Sequence, residues 1–244
     1  MNDKKIKVPV LDKRLALAAS FVRRGAVVAD IGTDHAYLPI FLVMTGRSPH
    51  AVAADINEGP LERARINCER CLLTDKITLC LSDGLTNIPL DKLGVSDIVI
   101  CGMGGELIAE ILEKSDYTRN CGVRLILQPM SQAARLRTYL AKRGYRTVDG
   151  SMTEAQKKIY QCIVCEYDGI PRTLTKAEAH LGAENIYAKP TPVFIKAAKS
   201  LMEKTERAVT GMHEGGLDTS YEIDLICELV KILNNIKEQN NEDN

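Results

Sequence analysis

The stretch "VVADIGTDHAYLPI", residues 27–40, decides the fold. A β-branched apolar run stops on Asp30, a single glycine, Gly32, follows, and Asp34 and His35 stand just before a second apolar segment. Such a run with a glycine stop reads as a strand. The following "YLPIFLVMTG" reads as a helix with an early proline and a terminal glycine. The pattern repeats outward. "AVAADI", "ITLCLSDGL", "SDIVICGMGG" and "VRLILQPM" read as further strands. "GPLERARINCERCLL", "GELIAEILEKS" and "SQAARLRTYLAKRG" read as intervening helices, the last opened by Ser131. A helix near residues 12–24 precedes the series, and "YRTVDGSMTEAQKKIYQCIVCEYD" closes it as two strands joined by a polar loop, an antiparallel ending.

Strand–helix alternation argues for an α/β fold with a mostly parallel sheet covered on both faces. Ligands bind such sheets outside the carboxyl ends of the strands. That places residues 30–35, 55–57, 82–85 and 101–105 on one rim. Beyond "EYDGIPRTL" the strands stop. Residues 173–213 and 217–239 read as helical, with "HEGGLD" between them. Phe194, Ala197, Leu201, Thr205, Ala208 and Met212 form one stripe, and Ile226, Leu229, Leu233 and Ile236 a matching one, as in an antiparallel hairpin with a coiled-coil-like seam. The expected division is a domain over 1–169 and a helical hairpin domain over 170–244.

Composition bounds the class. With 45% apolar and 26% charged residues, the 244-residue chain is that of a soluble globular protein with ample core. No apolar run approaches the roughly 20 residues that span a bilayer. The N-terminal segment shows no apolar block ending in a cleavage site, so a secretory signal is not expected and the cytoplasm is. Formal net charge is zero, but residues 1–24 and 131–158 are locally basic and the tail from Glu214 is acidic. Such asymmetry permits a phosphate-binding surface, although from charge alone solvated faces are the better account. Eight cysteines include "CERC" at 68–71 and "CIVC" at 162–165. Zinc is not expected of them: the first sits in a charged helical pattern, and the second in a strand that points its thiols to opposite faces. Free thiols in a reducing compartment fit better.

A dinucleotide site would read GxGxxG, because pyrophosphate needs close backbone approach at a helix N-terminus. Here those positions hold Gly32, Asp34 and Tyr37, and two carboxylates would repel a diphosphate. A phosphate-free ligand with an ammonium, a sulfonium and an adenosine fits, and S-adenosylmethionine is such a ligand. Gly32 then lets backbone approach the methionine part, and Asp30 or Asp34 accepts from its ammonium group. Asp55, followed by Ile56 and Asn57, is placed to accept both ribose hydroxyls. Asp83, between Ser82 and Gly84, can accept from the adenine amine. Each acid taken singly has a plainer role: Asp30 and Asp34 as helix caps, Asp83 as a turn former, Asp55 as a strand end. Four at successive strand ends favour the ligand.

"VVADIGTDHAYLPI", "AADIN", "SDGL", "DIVICGMGGELI" and "LILQPM" resemble the bacterial TrmK-type tRNA methyltransferases, over about residues 11–167. The resemblance implies a Rossmann-like class I methyltransferase sheet with an antiparallel last strand and a C-terminal α-helical, coiled-coil-like domain. It implies methyl transfer from S-adenosylmethionine to ring nitrogen 1 of the adenine at tRNA position 22. It also places Asp30, Gly32, Asp34, His35, Asp55, Asn57, Asp83, Gly102, Met103, Gly104 and Gly105 around cofactor and target. Ring nitrogen 1 is already a lone-pair nucleophile, so positioning can supply up to roughly 7–11 kcal/mol of the catalysis. The product adenine is cationic, which makes Asp34 and His35 candidates for stabilising it and Tyr37 a candidate for stacking. As a lone histidine, His35 reads equally as a helix-start residue. Exocyclic-amine methyltransferases carry an Asp/Asn-Pro-Pro-aromatic stretch where this chain has "CGMGG", which modestly favours a ring nitrogen.

A target base in folded tRNA must be turned out of its stack, while phosphate contacts hold the rest. Lys13 and Arg14, Arg135 and Arg143, and Lys196 and Lys199 are the expected contacts. A monomer or weak dimer is expected. A small-molecule methyltransferase on the same fold and a non-catalytic RNA-binding module with a retained pocket are the competing readings.

Overall fold

The computed structural model describes residues 7–242. α1 (Lys13–Phe21) opens under Asp12, whose Oδ1 accepts from the backbone N–H of Arg14 and Leu15, both at 2.9 Å. Strands and helices then alternate: β1 (Val27–Ile31), α2 (Tyr37–Met44), β2 (Ala51–Asp55), α3 (Glu58–Arg70), β3 (Ile77–Leu81), α4 (Leu90–Leu93), β4 (Val95–Gly104), α5 (Gly105–Glu113), β5 (Arg124–Ser131) and α6 (Ala133–Lys142). β6 (Tyr145–Ala155) and β7 (Lys158–Tyr167) follow as a hairpin. The seven strands form one sheet in the order β3-β2-β1-β4-β5-β7-β6. β1 to β5 are parallel, and β7 runs antiparallel between β5 and β6. The strand order reverses beside β1, so the ends of β1, β2 and β4 adjoin.

Alternate residues of each strand feed opposite layers. Ala29, Ile31, Val52, Ile98, Ile100 and Leu125 pack under α5 and α6. Val28, Ala51, Ala53, Val99 and Ile126 pack under α1, α2 and α3. A charge pair pins the base: Asp97 is fully buried and accepts from the backbone N–H and Nε of half-buried Arg23, both at 2.7 Å. Close packing of α5 on α6 explains Gly105. A Cβ there would sit 2.6 Å from the backbone oxygen of Gln132, which cannot step aside.

The expected opening of α6 by Ser131 is corrected. Ser131 ends β5, and the cap position holds Gln132 at φ 56 with no side-chain cap bond. The expected helical stretch over 173–213 is also divided. α7 (Lys176–Leu181), under a Thr175–Glu178 capping box, stops at Gly182 with φ 84; α8 (Ala183–Ile186) is one turn; α9 (Pro192–Glu214) starts under Thr191. α10 (Ser220–Glu242) folds back along α9 as the expected hairpin. Its buried face runs through Leu225, Leu229, Leu233 and Ile236, with Leu225 in place of the expected Ile226, and Ala208 on α9 is exposed. The reason is that the seam also packs on α7 and on Met152 and Ile159 of the β6–β7 hairpin, which rotates the apolar face of α10. Arg137 on α6, 2% exposed, ties this unit to the sheet by donating to Glu184 Oε1 at 2.9 Å and Gln161 Oε1 at 2.5 Å. Among the described residues no helix is long and apolar enough to cross a membrane.

Candidate active site

The four strand-end acids belong to adjacent ends of one sheet edge. Asp30 is the penultimate residue of β1, opposite Ala53 of β2 and Val99 of β4. Backbone bonds lock the crossover: Gly32 N and Thr33 N both donate to Ala54 O, at 2.8 and 2.9 Å, and Ser82 N donates to Asp55 O at 2.9 Å. Gly32 has φ 81, a left-handed conformation that penalises any side chain, and a Cβ would run into Met103 Cε. The turn after β1 therefore lies directly against the "GMGG" segment at the end of β4.

Asp30 is 7% exposed, and its carboxyl is pushed up to about 6, chiefly by burial. The Thr33 hydroxyl, nearby without a formal hydrogen bond, opposes the rise, and the neighbouring charge of Asp55 adds to it. Asp30 and Asp34 do not cap α2: the cap position is Ala36, at φ 55, with no side-chain cap bond. Asp34 is instead exposed and paired, receiving Arg63 at 2.5 Å on Oδ1 and facing His35 Nε2 at 3.2 Å from Oδ2. His35 stacks on Tyr37 with centroids 5.1 Å apart and planes 17° apart, and Asn67 Nδ2 holds the His35 carbonyl at 3.0 Å.

At the end of β2, Asp55 Oδ1 accepts from Asn57 N at 2.9 Å, which fixes the carboxylate at the strand end, while Ile56 is exposed beside it. After β3, Ser82 turns inward: its Oγ donates to Gly84 O at 3.0 Å and accepts from Asn87 N at 3.1 Å. Ser82 thus builds the turn, and Asp83, whose carboxylate faces Lys114 Nζ at 3.1 Å, is presented outward. Gly84, at φ 59, backs onto Ile111 of α5.

Several residues of the site escape a reading of the sequence. Gln128, fully buried near the end of β5, accepts on Oε1 from Gly102 N at 3.3 Å and from Arg14 at 3.4 Å, and donates to Pro129 O at 3.0 Å. It fixes the start of the Gly102, Met103, Gly104 segment. The signal was a lone polar residue inside "LILQPM", because a buried amide must be satisfied. Arg63 and Asn67, on one face of α3, hold Asp34 and His35.

The expected tRNA contacts divide. Arg135 is salt-bridged to Glu106 and Arg143 to Glu113, both on α5, whereas Lys142 on α6 is exposed. Arg14 is held by Asp12 and lies over the Tyr160 ring at 5.3 Å. Lys13, Lys196 and Lys199 are exposed, Lys196 reaching Glu154 at 2.6 Å.

Among the described residues no three His, Cys, Asp or Glu side chains group as a metal site requires. Cys162 and Cys165 enter opposite core layers, and burial pushes the Cys162 thiol up to about 12 and that of Cys165 well above its ordinary range. A cavity of about 390 Å³ lies away from the rim, between α7, α8 and α10. Both of its carboxylates are engaged, Glu178 with Thr175 N and Glu228 with Ala177 N.

The donor set fits S-adenosylmethionine. Buried Asp30 has no cationic partner among the described residues, which a bound ammonium or sulfonium would supply, the Gly32 turn admits close backbone approach, and buried Thr33 Oγ1 has no hydrogen-bond partner. Sheet order and this ligand chemistry together define the Rossmann-like methyltransferase class, and the methyltransferase-domain family matches residues 11–163. The chain is 40% identical over 168 residues to a Bacillus subtilis (strain 168) tRNA (adenine(22)-N(1))-methyltransferase, covering 66% of this chain and 69% of that one. A B. subtilis m1A22 tRNA methyltransferase, TrmK, superposes with a TM-score of 0.76 at 32% identity over 95% of this chain and 99% of its own. Streptococcus pneumoniae Sp1610 in complex with S-adenosyl-L-methionine superposes at 0.79 with 36% identity, covering 92% of this chain and all (100%) of that one. The chain belongs to the TrmK-type tRNA (adenine(22)-N(1))-methyltransferase family.

Proposed function

We propose that this chain transfers a methyl group from S-adenosylmethionine to ring nitrogen 1 of the adenine at position 22 of tRNA. The observation that carries the reading is the joining of Asp30, Gly32, Asp55 and Asp83 along adjacent strand ends, in a chain of this family. Gly32, with Asp30 and Asp34, holds the aminoacyl part; Asp55, Ile56 and Asn57 hold the ribose; Ser82, Asp83 and Gly84 frame the adenine. Gly102, Met103 and Gly104, fixed by Gln128, close the wall between cofactor and target. When bound, the cofactor supplies an electrophilic methyl group on a sulfonium.

No base is required of the chain, because ring nitrogen 1 carries a free lone pair. The residues therefore work by positioning and by meeting the positive charge of the product. Asp34 and His35 are assigned to that charge, and Tyr37, stacked on His35, to holding the target base. Lys13 and Lys199, exposed and without an ion pair among the described residues, contact tRNA phosphates. Residues 1–169 form the catalytic domain, and 170–244 form a helical hairpin domain that aids tRNA binding. The protein acts in the cytoplasm as a monomer or weak dimer.

Incubation with unmodified tRNA and methyl-labelled cofactor, followed by nucleoside mapping, tests the reading. Label is expected in 1-methyladenosine at position 22 and is lost when that adenine is replaced. Label on an exocyclic amine, or none on tRNA, overturns it.

A further inference from the structure

The β6–β7 hairpin outruns the strand it closes against. β5 and β7 pair only from Arg124↔Glu166 to Leu127↔Ile163, whereas β6 and β7 stay paired to Ala155↔Lys158. Because β7 is antiparallel to β5, its segment 158–162 continues beyond the last shared pair toward the carboxyl edge that carries the candidate site. At ~3.3 Å per residue, this arm is about 16 Å long. Its tip meets the start of α1: Asp12 and Lys13 share a cleft with Glu154, Gln156 and Lys157. Arg14 then connects the arm to the site, lying over Tyr160 and donating to Gln128, which fixes Gly102.

Two features of the tip point to a ligand. The two turn residues, Gln156 at φ 50 and Lys157 at φ 61, are both left-handed. A two-residue hairpin turn of this kind favours Asn-Gly, and a lysine held there is strained. The second feature is charge. Lys13, Lys157 and Lys158 are exposed, and none forms an ion pair among the described residues. On α5 and α6, by contrast, Arg135, Arg143 and Lys114 are each matched by Glu106, Glu113 and Asp83, and Lys142, exposed without an ion pair among the described residues, lies at the end of α6 remote from the rim. A cation already paired with a carboxylate gains less from a phosphate than an unpaired one, because only the unpaired one releases counterions from the nucleic acid without losing a partner.

We propose that the tip of the β6–β7 hairpin, through Lys157 and Lys158 with the adjoining Lys13, is the surface along which the tRNA backbone reaches the site, and that the α6 flank is not. This rests on the tRNA methyltransferase reading. The partner is a phosphodiester backbone held near the rim, and these contacts position it without reading its sequence.

The test compares tRNA affinity across a salt series for the full chain and its variants. Lys157→Glu with Lys158→Glu is expected to weaken tRNA binding about tenfold or more. The slope of log affinity against log salt is expected to fall by about 1.5, at ~0.7–0.9 for each phosphate no longer neutralised. Cofactor affinity is expected to be unchanged. Arg135→Glu with Arg143→Glu is expected to change tRNA affinity less than twofold. Lys157→Gly guards against misfolding: it relieves the turn, so it should melt no lower than the parent while still weakening tRNA binding. Lysine variants that bind tRNA with parental affinity and slope, or an arginine pair that costs more, overturn the proposal while leaving the enzyme reading intact. A parent protein that neither binds nor methylates tRNA removes both.

Discussion

Replacing Asp55 by alanine is expected to lower affinity for S-adenosylmethionine by about two orders of magnitude with little change in thermal stability. The carboxylate stands at the end of β2, oriented by Asn57 N at 2.9 Å, on the strand next to β1. There it can accept from both vicinal ribose hydroxyls. Hydrogen bonds to a charged acceptor contribute ~1.5–3 kcal/mol each, so losing two costs at least about 3 kcal/mol, close to a hundredfold. The fold loses one local bond, to Asn57 N, while the Ser82 N to Asp55 O link is made by backbone and survives. Titration calorimetry beside a thermal melt separates the two effects. Parental affinity in a normally folded variant removes the ribose role.

Asp30→Asn is expected to do the opposite to stability while also damaging binding. Burial raises the Asp30 carboxyl from 3.8 to about 6, so the folded chain holds its proton more tightly than the unfolded one. The resulting stabilisation is complete below the unfolded value and is lost as pH rises through about 6. The displacement corresponds to about 3 kcal/mol. At pH 7.5 the native protein carries a buried, uncompensated charge, and asparagine removes it. The ligand-free variant should therefore melt several degrees higher than the parent above pH 6, at ~2–4 °C per kcal/mol. That advantage should vanish below about pH 4, where the parent's carboxyl is neutral in both states.

A cationic ligand reverses the preference. In the parent, cofactor affinity should climb as pH rises through about 6, when Asp30 ionises, and the asparagine variant should bind weakly without that climb. Melting curves and titrations between pH 4 and 8 check both halves. A variant no more stable than the parent at pH 7.5 would contradict the burial of a charge. One that binds normally would contradict its use.

These two acids also show how far the sequence reaches. Period and punctuation placed Asp30 and Asp55 at strand ends, and the alternation of strands with helices placed those ends on one edge, as the sheet order bears out. The opposed thiols of Cys162 and Cys165 were equally legible, because a strand's period of 2 separates residues three apart. Other features depend on neighbours distant in the chain. Whether Arg135 and Arg143 are available to phosphate is decided by Glu106 and Glu113 on α5, which helix packing alone brings near. The face of α10 is set by α7 and the β6–β7 hairpin, so an ideal heptad counted along the helix started one residue late, at Ile226. Ser131 looked like a helix cap, but β5 runs through it to pair with Gly104 of β4. The exposure of Asp34, paired with Arg63, and the burial of Asp30 separate two acids that a local reading treats alike.

The most direct measurement is a calorimetric titration of the purified protein with S-adenosylmethionine and, separately, with NAD. Acids along the strand ends and one glycine at the β1 turn require saturable binding of the first and none of the second. Binding of NAD, or indifference to S-adenosylmethionine at neutral pH, would contradict the account.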